Sequence, residues 1–209
     1  LDLMKSRAMK KALACFDSAL AIEPELAPAH FNRGNVLSVM AQFDKALPSY
    51  DQALVLGLNV AGLHYRRGLA LYELSRLQEA LASYDRALAM QPDMAPAVYS
   101  RGFLLQDLGR LDEAKDSYER ALVLQPTPQV KLSLGMAYLA EGRWREGWEY
   151  YESRWEGAHE TGKSSFRRPV TSLPQWNGEA VTEQEGLLLF AEQGLGDMMQ
   201  FCRYLPLAA

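Results

Sequence analysis

The chain has 209 residues, 48% of them hydrophobic and 23% charged, with a formal net charge of −4. That length allows one or two domains of ordinary soluble composition. The acidic balance argues against a nucleic-acid partner, which calls for a basic surface, and no run of about 18 apolar residues offers a membrane span.

The N-terminus lacks a basic stretch followed by an apolar core, so no signal peptide is expected. Cys15 and Cys202 are far apart and match no metal-site spacing. They read as reduced thiols of a cytoplasmic protein, and neither a metal nor a cofactor is expected.

Taken in order, the sequence predicts helices over residues 8–22, 27–41, 43–56, 61–75, 77–90, 95–109, 111–124, 128–141 and 144–156. Apolar residues fall three and four apart, as at Leu77, Leu81, Tyr84 and Leu88, which places them on one helical face. Leu3 shares a column with Leu37, Leu71 and Leu105, inside the first helix of a unit. The chain therefore reads as entering part-way through a repeat of a longer array. Gly57, Gly109 and Gly142 stand where helices end and suit left-handed caps. Pro28 and Pro96 suit first turns, while Pro48 falls inside a helix and is expected to bend or loosen its start.

The units superimpose column by column. Gly34, Gly68, Gly102 and Gly135 recur at spacings of 34, 34 and 33. Ala12, Ala46, Ala80 and Ala114 form an alanine column that ends on Gly147. Phe16, Tyr50, Tyr84, Tyr118 and Tyr151 follow it by four residues, and Ala19, Ala53, Ala87 and Ala121 by seven. Glycine and alanine are expected where two helix backbones come close, with each aromatic filling the space between one helix pair and the next. Pro24, Pro92 and Pro126 close the units, with Leu58 in the second. One such helix pair cannot bury its apolar face, but a stack of three or more can.

These columns resemble the tetratricopeptide repeat family, over roughly residues 1–156. The tryptophan that often opens the family pattern is absent, its column holding His30, His64, Val98 and Lys131, and Arg33, Arg67 and Arg101 replace the usual leucine before the glycine. The resemblance implies an all-α fold: a right-handed superhelical solenoid of about four and a half helix-turn-helix repeats, with the first helices lining a concave face. Counted from the glycine column, Phe31, Tyr65 and Tyr99 fall inward, with Asn35, Leu69 and Phe103 one turn on and Tyr72 and Gln106 farther along. Aromatics supply contact area and an amide can bond a peptide backbone. The expected function is thus a scaffold holding an extended peptide or partner protein in that groove. Some of these aromatics could instead pack between repeats.

Other features read more plainly. His30 and His64, in one column of adjacent units, read as interhelical packing. The Asp51, Asp85 and Glu119 column reads as a solvated helix face, with Arg86 and Arg120 as neighbours. In the degenerate last unit, Trp148, Tyr151 and Trp155 share a face that is either a packing surface or a stacking platform.

Residues 157–175 lose all periodicity and read as a linker. The tail, 176–209, changes to the short apolar run 187–191, the turn Gly194-Leu195-Gly196-Asp197 and a helix-like end. A strand, a glycine-containing turn and a helix together begin an α/β unit, and the turn could receive a phosphate at the helix N-terminus. With Trp176-Asn177-Gly178-Glu179 before it, this order resembles the junction in bacterial tetratricopeptide proteins that carry a GT-B, heptosyltransferase-like glycosyltransferase domain. The resemblance implies that Asp197 would be the acceptor's general base in a full-length enzyme, with Gly194 and Gly196 shaping the loop; Asp197 as a plain N-cap is the other reading. Too few residues follow for two lobes, so no catalysis is expected of this piece. The tail is expected to be irregular or strand-like, and a possible homo-oligomer contact.

Overall fold

A computed structural model describes residues 3–155. Among them are α1 (Leu3–Ile22), α2 (Ala27–Val39), α3 (Phe43–Val55), α4 (Ala61–Glu73), α5 (Leu77–Met90), α6 (Ala95–Asp107), α7 (Leu111–Leu124), α8 (Pro128–Ala140) and α9 (Trp144–Tyr151), then a 3-10 turn, Glu152–Trp155. No described residue lies in a strand. The helices through Ser153 form one compact unit. Each hairpin is a tightly packed pair, α2 with α3, α4 with α5, α6 with α7 and α8 with α9, and every second helix leans on the first helix of the next pair. The fold is an all-α solenoid of stacked helical hairpins.

Every hairpin turns by the same device. The residue after the first helix's C-cap is left-handed: Ala41 at φ 56°, Ser75 at 59°, Gly109 at 73° and Gly142 at 80°. The next N–H reaches five residues back, Gln42 to Leu37 and Arg76 to Leu71, each at 2.9 Å. This is the Schellman closure, which satisfies carbonyls the helix end would leave orphaned. Gly57, at φ 88°, closes α3 similarly, with Leu58 N–H on the Ala53 carbonyl at 3.0 Å. It replaces the proline stop that Leu58 lacks. Ala41 and Ser75 adopt this conformation against their intrinsic preference, so packing overrides it.

One expectation at a helix end changes. The first helix starts at Leu3, not residue 8, and runs straight through Arg7, the column that turns in every later hairpin. Arginine resists a left-handed turn. α3 is continuous from Phe43 to Val55 and includes Pro48, whose ring lies exposed.

The core is a ladder of tyrosines. Tyr50, Tyr84 and Tyr118 are fully buried with Ala46, Ala80, Ala114, Ala53, Ala87 and Ala121 around them. The glycine column makes room for these rings rather than for a neighbouring backbone. A Cβ on Gly34 or Gly68 would stand 2.6 Å from the ring of Tyr50 or Tyr84, and one on Gly102 would stand 2.9 Å from Tyr118. Only in the last hairpin do backbones meet as expected: a Cβ on Gly135 would lie 2.7 Å from the Tyr151 amide nitrogen. The tyrosines therefore fill their own hairpin, beneath the glycine, rather than only the gap to the next pair.

Candidate functional site

The first helices gather on one side. α4 touches α2 and α6 directly, besides its partner α5. The residues expected to face a ligand lie on these first helices and fall into two groups by what they touch.

The first group braces the core. Phe31, Tyr65 and Tyr99 are half-buried and lean on Tyr50, Tyr84 and Tyr118, with centroids 6.1, 6.2 and 5.8 Å apart. The Tyr99 hydroxyl also lies 3.2 Å from Ser133 Oγ on the next first helix. Two amides are partly engaged. Tyr50 donates to Asn35 Oδ1 at 3.1 Å and Tyr118 to Gln106 Oε1 at 2.9 Å. Their NH2 groups are the donors left for a ligand.

The second group crosses between hairpins. The Tyr72 ring meets Phe103 edge-on, centroids 5.9 Å apart and planes at 68°. Its hydroxyl donates to Asp107 Oδ2 at 2.5 Å. Partial burial, and then that carboxylate, push the Tyr72 phenol up to about 12. The ring is thus held at both ends by α6. Phe103 remains 41% exposed, and Met136, next in the column Asn35–Leu69–Phe103, is 42% exposed. Met136 was legible in that column but lies in the degenerate unit, where the glycine spacing drops to 33. Leu69 is half-buried against the core. Charge brackets the strip: Glu73 and Asp107 lie exposed toward the ends of α4 and α6, and the exposed Arg66 sits over the Tyr65 ring at 5.9 Å.

The arginine column does something the sequence reading missed. Arg33 donates from Nε to Asp17 at 2.7 Å and from Nη1 to Ser49 Oγ at 2.7 Å. Arg67 bonds Asp51 and Ser83 at 2.6 and 2.8 Å, and Arg101 bonds Asp85 and Ser117 at 2.7 and 2.9 Å. Each guanidinium joins its own helix to the second helices of two hairpins. Asp51 and Asp85 are therefore ion-pair partners and not a merely solvated face. Glu119, whose column-mate on α8 is Leu134 rather than arginine, accepts from the Tyr138 hydroxyl at 2.9 Å. Arg120 donates to the Pro92 carbonyl.

Both histidines tie their helices to the preceding loop: His30 Nε2 lies 2.8 Å from the Pro24 carbonyl and His64 Nε2 2.7 Å from Asn59 Oδ1. Burial, then the positive charges of Arg86 and Arg67, lower the His64 pKa. Among the described residues no group of three His, Cys, Asp or Glu side chains could hold a metal ion, and no helix is long and apolar enough to cross a membrane. Trp148 is exposed and meets Tyr151 edge-on at 5.4 Å; the Trp155 side chain, Gly194, Gly196 and Asp197 lie outside the described residues.

Comparison with known proteins agrees with this architecture. Two tetratricopeptide repeat models match residues 31–95 and 71–135. No curated protein matches the chain. Among solved structures, MamA is similar at 22% identity and TM-score 0.68, over 78% of this chain and 98% of that one. YrrB, described as a TPR protein with an unusual peptide-binding site, is similar at 23% identity and TM-score 0.62, over 77% and 82%. PilF of Pseudomonas aeruginosa is similar at 23% identity and TM-score 0.64, over 72% and 69%. None of these supports the glycosyltransferase-like reading of 176–209. The two models share one family description and together span half of the chain. The hairpins of residues 31–135 belong to the tetratricopeptide repeat family.

Proposed function

We propose that this chain is a protein-interaction scaffold that binds an extended peptide along its first helices and acts by binding rather than catalysis. The observation that carries the reading is the strip at Tyr72, Phe103 and Met136. Exposed apolar side chains stand there on helices that otherwise turn such residues inward, and Tyr72 is fixed in place before any ligand arrives. A pre-ordered aromatic contact loses little entropy on binding. Phe31, Tyr65 and Tyr99 form the floor, and the amides of Asn35 and Gln106 remain able to donate to a peptide carbonyl. Glu73 and Asp107 beside the strip favour an apolar peptide with a basic residue. The peptide-binding site named for YrrB is consistent with this use of the fold.

A phage-displayed peptide library panned on the immobilised chain, followed by calorimetry on resynthesised peptides, tests the reading. Phe103→Ala should weaken the selected peptides by more than about 1 kcal/mol, as for an anchor residue. Peptides indifferent to Phe103, Tyr72 and Met136 together would move the site elsewhere. The glycosyltransferase alternative rests on the tail's resemblance alone and is not adopted; sugar transfer by this chain would reinstate it.

A further inference from the structure

Along each first helix three columns share one face, since residues spaced by three and then by four line up. On α4 they are Arg66, Leu69 and Glu73, and on α6 they are Ser100, Phe103 and Asp107. Phe103 belongs to the apolar strip, and Tyr72, next to Glu73, bonds across to Asp107. In the Arg66 column Asn32, Ser100 and Ser133 are neutral, and in the Glu73 column so are Val39 and Ala140. Charge therefore enters this face only at Arg66, Glu73 and Asp107, all of them exposed.

Elsewhere the fold matches its charges, as in Arg67 with Asp51, Arg76 with Glu79 and Lys115 with Glu141. Among the described residues Arg66, Glu73 and Asp107 have no ion-pair partner. Arg66 covers the Tyr65 ring at 5.9 Å, and Asp107 accepts a neutral hydroxyl. A ligand's opposite charge would therefore break no internal ion pair on meeting them.

The two signs are also separated along the array. Burial raises the Tyr50 phenol, while the Ser38 bond and then the Arg66 charge oppose it, so Arg66 reaches toward α2. Burial, then Asp107, then Glu73 raise the Tyr72 phenol, so both carboxylates stand near one hydroxyl that bridges α4 and α6. From α6 toward α8 the face is apolar, with Phe103 and Met136 exposed. α4 touches both α2 and α6, and helices in contact stand about 8–10 Å apart. An extended chain advances about 3.3 Å per residue, so about three residues carry it from one first helix to the next.

We infer that the groove reads side chains in a fixed order. An acidic one meets Arg66, a basic one about three residues on meets Glu73 and Asp107, and an apolar one about three residues farther meets Phe103 and Met136. The basic residue is thus the central one, whichever way the chain runs. This rests on the peptide-binding reading above and adds to it the order of the partner's side chains.

A panel of fluorescent peptides on a serine and glycine background tests the order. Each carries one aspartate, one arginine and one leucine at three-residue steps, and the panel holds every permutation. Anisotropy with the full chain at low salt should show peptides with central arginine binding about tenfold more tightly than those with central aspartate or leucine. Glu73→Gln combined with Asp107→Asn, which keeps an oxygen for the Tyr72 hydroxyl, should erase that preference. Phe103→Ala should weaken every permutation. Binding that depends on Phe103 but ignores the order overturns the inference and leaves the peptide groove standing. A preference for central aspartate or leucine, or one for central arginine that survives the double variant, overturns it too. Binding of no permutation also overturns it, while the library panning decides the peptide-binding reading separately.

Discussion

The α4/α5 and α8/α9 hairpins are built on the same columns and packed by different means. In α4/α5 a buried tyrosine ring separates the helices beneath Gly68, and Arg67 fastens the outside to Asp51 and Ser83. In α8/α9 two glycines bring the backbones together: a Cβ on Gly147 would meet Leu139 at 2.7 Å, and one on Gly135 the Tyr151 amide nitrogen at the same distance. Tyr150 and Tyr138 pair at 5.9 Å, and Arg143 covers the Tyr138 ring at 3.9 Å. A repeat thus keeps its sequence columns while exchanging the material between its helices.

The sharpest break in this comparison is to remove the ring. Tyr84→Ala should destabilise the chain by about 3–5 kcal/mol in urea denaturation, the cost of emptying a large buried site. Tyr151→Ala, at the matching column but only partly buried, should cost closer to about 1 kcal/mol. Equal losses would mean that both hairpins rely on the aromatic.

The glycines should respond in the opposite order. Gly68→Ala meets a side chain and should cost about 1–3 kcal/mol, as overpacking does. Gly135→Ala meets backbone, which cannot rotate away, and should cost more. Replacing Tyr84 by leucine should restore part of the Gly68→Ala loss, whereas Tyr151→Leu should not rescue Gly135→Ala. Thermal melts of the two double variants decide the matter.

Alkali should act on both regions alike. Burial, then the bond to Glu119, raise the Tyr138 phenol to about 12, as burial and Asp107 do for Tyr72. The unfolded chain loses these protons near the ordinary value of about 10. The stability the two protonated hydroxyls supply is therefore intact below pH 10 and lost as pH rises from 10 to 12. Tyr72→Phe and Tyr138→Phe should flatten the fall of the denaturation midpoint over that window.

Smaller effects separate the fastenings. Arg67→Leu, which imports the α8 residue into α4, should cost about 1 kcal/mol or less, as expected of half-exposed ion pairs. Ser75→Gly should stabilise by about 0.5–1 kcal/mol by relieving a left-handed serine, while Gly142→Ala at the matching turn should destabilise. A melting-temperature series on these variants orders them.

Most of the helices were legible because Gly34, Gly68 and Gly102 fix the phase and the apolar faces follow. What periodicity hides is which partner a side chain takes. Asp17, Arg33 and Ser49 lie at even steps of 16 residues, a pattern repeated from Asp51 and from Asp85. It was visible, but departures from a family pattern do not announce a contact between three helices. Phe31 and Tyr65 were expected to face inward, yet spacing along one helix cannot show that their rings rest on Tyr50 and Tyr84. The left-handed Ala41 and Ser75 were illegible for another reason: neither residue type favours that conformation, and only packing imposes it.

The arginine fastenings bear on how the array comes apart. Three guanidiniums lock α1 through α7 in sequence, and Leu134 ends the series at α8. In a linear stack, each hairpin is held only by its neighbours. Amide hydrogen exchange should therefore be faster in α8 and α9 than in α4, so that the hairpin bearing Trp144 and Trp148 opens while the middle stays closed.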